Sequence, residues 1–392
     1  MSTDCLMKKK NILVFLNAFW NNGAGMSGGD QMFIQVFKRI RNDLGLLWCV
    51  TNQDGKAAIE KEVPRVTFKI SPQGLDRLNL MANYVMRALF AMRCLVLKPD
   101  VVYAGSDFFP DVIPAFLLKL VRPRVRWIQC VFHIYPDWRS RPGSKIKSFI
   151  AQYMQRFSLL LARRADVVLN INQGVKKYLV AKGFSEDRIA VNPPGIDLDY
   201  LRGVPPAPQE EGYDGIFLGR LNPSKGIFDL IEIWSLVVKE IPSARLAIIG
   251  GGSAEIVAQL KEAIREKRIE GNISLLGYLE NDKAFALIKA SKVFLFPSRE
   301  EGFGMAIAEA LACGVPVVAW DLPVFEEFFP YLIKVVDCYK FEYFARLVID
   351  QLQGRDKVDS GAAKELDKFS WRGVSSNICS IISGLRFLGV IL

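Results

Sequence analysis

Short apolar runs alternate along the chain with stretches of helical period. Asn11 to Leu16, Leu46 to Thr51, Val101 to Tyr103, Arg126 to Val131 and Val167 to Asn170 read as strands. Between them, Asp30 to Arg41, Val112 to Leu120 and Ser148 to Arg164 read as helices. Runs this short and this apolar are strands covered on both faces, which predicts a parallel sheet between helical layers. Val204 to Glu211, with Pro205, Pro206 and Pro208, breaks the pattern and reads as a linker. A second βα series then begins: strand Gly215 to Leu218, helix Phe228 to Glu240, strand Arg245 to Ile249, and a helix from Ser253 to Lys267 that Ser253 should cap. Ile273 to Leu276, Val293 to Phe296 and Val315 to Ala319 follow as strands, and an apolar helix from Trp371 to Leu392 closes the chain. The expected division is an α/β domain over 1–205, a linker over 206–211, a second such domain over 212–370, and a terminal helix over 371–392 apolar enough to pack on something.

The 392 residues suffice for two domains, and a hydrophobic content of 51% with 23% charged residues excludes intrinsic disorder. The net charge of +10 is unevenly spread: residues 1–191 carry 29 Lys and Arg against 14 Asp and Glu, and the remainder 22 against 27. The two halves therefore face different partners. Seven cysteines without a CxxC pair read as free thiols of a reducing compartment, and one histidine leaves little from which to build a zinc site. The stretch after Lys8, Lys9 and Lys10 imitates a signal peptide, but Asn11, Asn17, Asn21 and Asn22 interrupt it, and it reads better as a first buried strand. No apolar run reaches the ~18 residues of a membrane span.

The most informative stretch is PSREEGFGMAIAEALACGVPVVA, Pro297 to Ala319, which reads as strand end, loop, helix and next strand. A helix starting near Gly304 presents unpaired backbone N–H groups, and the bare Gly302 and Gly304 let a phosphate approach them closely. Glu301 before the helix and Glu309 in its second turn stand about 10 Å apart by helix rise. That is too far to share a proton, so they suit different parts of one extended ligand, or else are plain surface charges. Gly219-Arg220-Leu221 and Lys225-Gly226 follow the first strand of the second half, where open α/β sheets bind ligands, and Arg220 with Lys225 suits a pyrophosphate. Gly250-Gly251-Gly252 ends another strand and resembles a close-approach turn.

In the first half, Gly23 to Gly29 joins the first strand to its helix; Gly23, Gly25 and Gly28 fit a dinucleotide spacing, the alternative being a plain flexible loop, against which its place at the first βα turn argues. His133 sits at a strand's carboxyl end among Phe132, Tyr135 and Trp138, as a core histidine or part of a sugar-stacking site. Asp197-Leu198-Asp199 has the form of a cation-binding DxD, but its place before a helix makes Asp197 a cap. Basic residues cluster at Lys119, Arg122, Arg124 and Arg126, and again at Arg139, Arg141, Lys145 and Lys147. With the oily helix from Met81 to Leu97, they suggest either an anionic membrane surface or a core helix beside a solvated edge; no RNA- or DNA-binding pattern accompanies them.

Taken in order, the SGG loop, VNPPGID, FLGRLNPSKG, IIGGGS and the PSREEGFG run resemble glycosyltransferase family 4, the retaining GT-B glycosyltransferases, over almost the entire chain. The resemblance implies a GT-B fold of two facing Rossmann-like domains with parallel sheets and a C-terminal crossover helix. It implies that Glu309 holds ribose hydroxyls and Glu301 the donor sugar, that Phe303, Gly304 and Met305 offer backbone N–H groups, and that Arg220 and Lys225 clamp the pyrophosphate. Gly28 and Gly29 would close over the phosphates, and His133 would stand near the transferred sugar. The segment FFPYLIKVVDCYKFEYF after Phe325 departs from the family's usual glycine-containing pattern.

The expected function is transfer of a hexose from a nucleotide diphosphate sugar, without metal or cofactor, to a glycan or lipid-linked saccharide of the cell envelope, with retained anomeric configuration. The expected location is cytoplasmic, peripheral on the membrane through the basic first half. Two rivals are an NAD-dependent epimerase or oxidoreductase, read from the glycine loop, and a nucleotide-sugar sensor without turnover.

Overall fold

The computed structural model describes residues 9–18, 28–135, 138–139, 145–355 and 365–384. Two compact units emerge, one formed by residues up to Gly195 together with those from Trp371 onward, the other by Ile196–Ser370.

In the first unit the order is β1 (Ile12–Phe15), α1 (Gly28–Ile40), β2 (Leu47–Thr51), α2 (Gln53–Glu62), β3 (Thr67–Ile70), α3 (Leu80–Ala91), β4 (Val101–Ala104), α4 (Phe109–Val121), β5 (Arg126–Cys130), α5 (Lys145–Ala162), β6 (Val167–Asn170), α6 (Gln173–Ala181) and β7 (Ile189–Val191). The strands form one sheet in the order β3-β2-β1-β4-β5-β6-β7, every pairing parallel. Strand side chains alternate between faces, so one sheet supports two cores. Ile12 and Val14 pack with Phe33, Phe37 and Ile59 from α1 and α2. Leu13 and Phe15 pack with Val112, Leu118, Leu159 and Leu179 from α4, α5 and α6.

The second unit runs α7 (Leu198–Gly203), β8 (Gly215–Leu218), α8 (Ile227–Glu240), β9 (Leu246–Ile249), α9 (Ala254–Glu266), β10 (Ile273–Gly277), α10 (Asn281–Lys289), β11 (Val293–Phe296), α11 (Met305–Ala312), β12 (Val317–Trp320), α12 (Pro323–Phe328), β13 (Lys334–Val336) and α13 (Phe341–Leu352). Its parallel sheet is ordered β10-β9-β8-β11-β12-β13. The chain order reverses between β8 and β11, and the carboxyl ends of those two strands are where such a sheet binds ligands.

The terminal helix α14 (Trp371–Ser383) joins the first unit: it packs on α1, and Val374, Ile378 and Ile381 enter that unit's core. Residues 385–392 of the expected helix lie outside the described residues. The unit boundary falls at Gly195 rather than in the proline-rich segment, because Ile196, Leu198, Leu201 and Val204 are buried in the second unit's core. Gly195 itself sits against Trp371, where a Cβ would come within 2.6 Å of the indole.

Candidate active site

Three loops at the carboxyl edge of the second sheet are locked to one another. After β8, Asn222 caps the turn 223–225 by accepting the Ser224 N–H at 2.9 Å, and Pro223 occupies the first helical position. Gly226 has φ +67°, and a Cβ there would lie 1.7 Å from the Pro297 carbonyl oxygen, so the β8 and β11 loops touch backbone to backbone. The Arg299 N–H donates to the Ser224 carbonyl at 2.9 Å, and the Leu221 N–H to that of Gly251 at 2.9 Å. A buried carboxylate, Asp229 of α8, holds the second loop in place: Arg299 donates to both of its oxygens, and the Trp320 indole N–H reaches it at 3.1 Å.

The entry to α11 is fixed by aromatic packing. Phe303 is buried against Phe328, Phe369 and Phe329, with ring centroids 4.9, 5.1 and 5.4 Å away. Gly304 takes φ +97° and carries no capping side chain, leaving the first N–H groups of the helix without one. Met305 lies at its first position, half-buried.

These loops bring Lys225 and Glu301 together, with Nζ and Oε1 2.6 Å apart and both side chains largely buried. The pair was not foreseen from sequence, where Lys225 reads as a mobile charge. Arg220 is exposed and has no partner among the described residues. Glu309 is half-buried on α11 and likewise has no hydrogen-bond or ion-pair partner there. Burial alone pushes its carboxyl up to about 7.

In the first unit the corresponding edge holds a buried polar network. The Asn17 N–H donates to Asp111 at 2.7 Å, and the Asn17 amide to the Arg87 carbonyl at 2.9 Å. Burial raises the carboxyl of Asp111 to about 7 and that of Asp107 to about 6. Gln155 of α5 donates from Nε2 to Asp107 and to the His133 carbonyl at 2.7 Å, while its Oε1 accepts the Tyr135 N–H at 2.8 Å. His133 follows β5 and is exposed, with the Tyr135 ring 6.0 Å away, so it is not a core histidine. Gly28 and Gly29 open α1, and a Cβ on Gly28 would meet nothing within 4 Å. Gly23 and Gly25, on which the dinucleotide reading leaned, lie outside the described residues, as does Arg141.

Of two further expectations, one holds and one changes. Asp197 does cap α7, accepting the Tyr200 N–H at 3.3 Å. Lys119, read as part of a basic patch, is spent on structure: its ammonium pairs with Asp166 at 2.8 Å and donates to the Pro123 and Val125 carbonyls. Among the described residues no cluster of His, Cys, Asp and Glu is arranged to hold a metal ion, and no helix is long and apolar enough to cross a membrane.

Residues 46–200 match the family described as Glycosyltransferase Family 4, and residues 205–359 the one described as Glycosyl transferases group 1. The chain belongs to the family 4 glycosyltransferases. An uncharacterized glycosyltransferase of Methanocaldococcus jannaschii is 31% identical over 240 residues, covering 57% of this chain and 56% of that protein. The GDP-mannose:cellobiosyl-diphosphopolyprenol alpha-mannosyltransferase of Xanthomonas campestris is 28% identical over 58% of this chain and 57% of its own length. The chain thus spans about half the length of these curated relatives. HepE of Anabaena, solved in complex with UDP and glucose, superposes with a TM-score of 0.73 at 18% identity, covering 96% of this chain and all of that one. The family 4 chain shares with these neighbours the GT-B fold of two Rossmann-like domains with all-parallel sheets.

Proposed function

We propose that this glycosyltransferase is a retaining, metal-independent hexosyltransferase. It takes its sugar from a nucleoside diphosphate donor and passes it to a glycan or lipid-linked saccharide acceptor. The observation that carries the reading is the meeting, at the carboxyl ends of the adjacent strands β8 and β11, of Lys225, Glu301 and the uncapped start of α11. The relatives' names agree in kind: one is solved with UDP and glucose, another acts on a diphosphopolyprenol.

In this reading Arg220 and Lys225 neutralise the diphosphate, a planar fork and a point charge on one leaving group. Charge grows on that group as the glycosidic bond breaks, and donors fixed beforehand stabilise it without reorganising. The N–H groups around Phe303, Gly304 and Met305 add the helix dipole. Glu309 accepts from the ribose hydroxyls and Glu301 from hydroxyls of the donor sugar, sharing Lys225 between sugar and phosphate. Gly28 and Gly29 are assigned to the phosphates and His133 to the transferred sugar on the family resemblance alone. Attack on the face the nucleotide leaves retains the anomeric configuration.

The test is a panel of UDP-, GDP- and ADP-sugars, scored by thermal stabilisation and by slow donor hydrolysis, with the anomer of the product sugar read by NMR before it equilibrates. Stabilisation by one nucleotide series, lost in Lys225→Ala and Glu309→Ala, is the expected result. Stabilisation undiminished in both variants, or release of the inverted anomer, overturns the assignment.

A further inference from the structure

Helix α5 buries Met154, Leu159 and Ala162 yet carries a second apolar stripe outward. Its outward face carries Ile146, Phe149, Tyr153, Phe157 and Leu160, exposed by 43–74%, while Ser148, Gln152, Gln155 and Ser158 of the same helix are buried. The spacing keeps the apolar side chains on one stripe. Helix α3 likewise points apolar side chains outward: Met81, Val85 and Leu89 are exposed by 38–52%, whereas Asn83 and Arg87 are buried. Helix α4 packs between these two and adds the exposed Leu120 and Val121. Soluble surfaces rarely hold contiguous apolar area beyond a few hundred Å² without a partner.

Charge identifies the partner. Neither α3 nor α5 contains an Asp or Glu, and the single carboxylate of α4, Asp111, is fully buried. Cations accompany the apolar stripe: the exposed Arg156 of α5 lies 5.2 Å from the exposed Tyr153 ring, and Arg164, just past the end of α5, lies 5.9 Å from the partly buried Phe116 ring of α4. Aromatic and aliphatic side chains mixed with arginine, and no carboxylate, match the headgroup and acyl boundary of an anionic bilayer.

We infer that the α3–α4–α5 face of the first unit docks on an anionic membrane surface, with α5 lying in the interface plane. The inference rests on this face alone and needs no turnover, so its failure and failure of the donor-site reading are separate results.

The experiment is flotation of the full chain with vesicles of phosphatidylglycerol and phosphatidylethanolamine, against vesicles of phosphatidylcholine alone. Binding to the anionic vesicles, weakened at high salt, is expected. Ile146→Glu with Leu160→Glu should lower the partition coefficient at least tenfold at an unchanged melting temperature, since both side chains are more than half exposed. The control Tyr331→Glu, at a fully exposed position of the second unit, should bind as the parent does. No binding to anionic vesicles overturns the inference, as does binding that the double substitution leaves intact. So does a concentration-dependent dimer that the same substitutions dissociate without any vesicle binding, which would make a second copy the occupant.

Discussion

Replacing Glu309 by glutamine should make the empty protein more stable above neutral pH and worse at holding a nucleotide. Burial raises the carboxyl from its ordinary 4.5 to about 7. Folding therefore favours the protonated acid: the contribution is fully present below pH 4.5 and is lost as pH rises through about 7. At about 1.36 kcal/mol per tenfold change in ionisation, the loss on going from pH 4 to pH 8 is about 3 kcal/mol. Glutamine keeps the shape without the charge, so urea midpoints of parent and variant should nearly coincide at pH 4 and separate by that order at pH 8. For a unit of this size the difference in melting temperature would be about 5–10 °C. Titration with UDP or GDP should move the other way, the variant binding at least tenfold more weakly. Equal stability of the two proteins at both pH values would show that the carboxylate is solvated or paired, and would remove the argument that it waits for ligand hydroxyls.

Lys225→Met should lower both the melting temperature and donor affinity, because it strands the largely buried Glu301 carboxylate; adding Glu301→Gln should restore most of the stability, about 2–3 kcal/mol, but none of the affinity. Gly226→Ala is expected to cost more than 3 kcal/mol or prevent folding, since its Cβ would sit inside contact distance of the Pro297 carbonyl at a positive φ; a melting temperature within 2 °C of the parent would contradict the loop geometry. Gln155→Leu removes three hydrogen bonds around His133 and should reduce kcat by at least tenfold while leaving the affinity for UDP within twofold, measured by calorimetry.

Much of this architecture was legible in the sequence because both sheets are covered on two faces, so that runs such as Ile12–Phe15 and Val293–Phe296 are apolar at every position and stand out. The edge strands Thr67–Ile70 and Lys334–Val336 were missed for the converse reason: they are partly exposed and carry Lys69 and Lys334. The start of α11 was readable because Gly304 marks it. The ion pair of Lys225 with Glu301 was not, since no local pattern links residues so far apart in the chain; only the sheet order that places β8 beside β11 does. Asn222-Pro223, a cap followed by a first-turn proline, is a signal that could have fixed the conformation of the Lys225 loop in advance. The outward apolar stripe of α5 was hidden for another reason: its apolar residues are spread widely enough that periodicity alone does not say which stripe faces the sheet.

A closed Lys225–Glu301 pair leaves this part of the site electrically neutral before any donor arrives. A stray inorganic phosphate gains little by entering, because taking the ammonium strips the carboxylate of its counter-ion. A sugar diphosphate can meet both demands at once, oxyanion to the lysine and hydroxyl to the glutamate. The empty protein would thereby hold its strongest grip in reserve for molecules that present the two groups together, and let go once transfer has separated them.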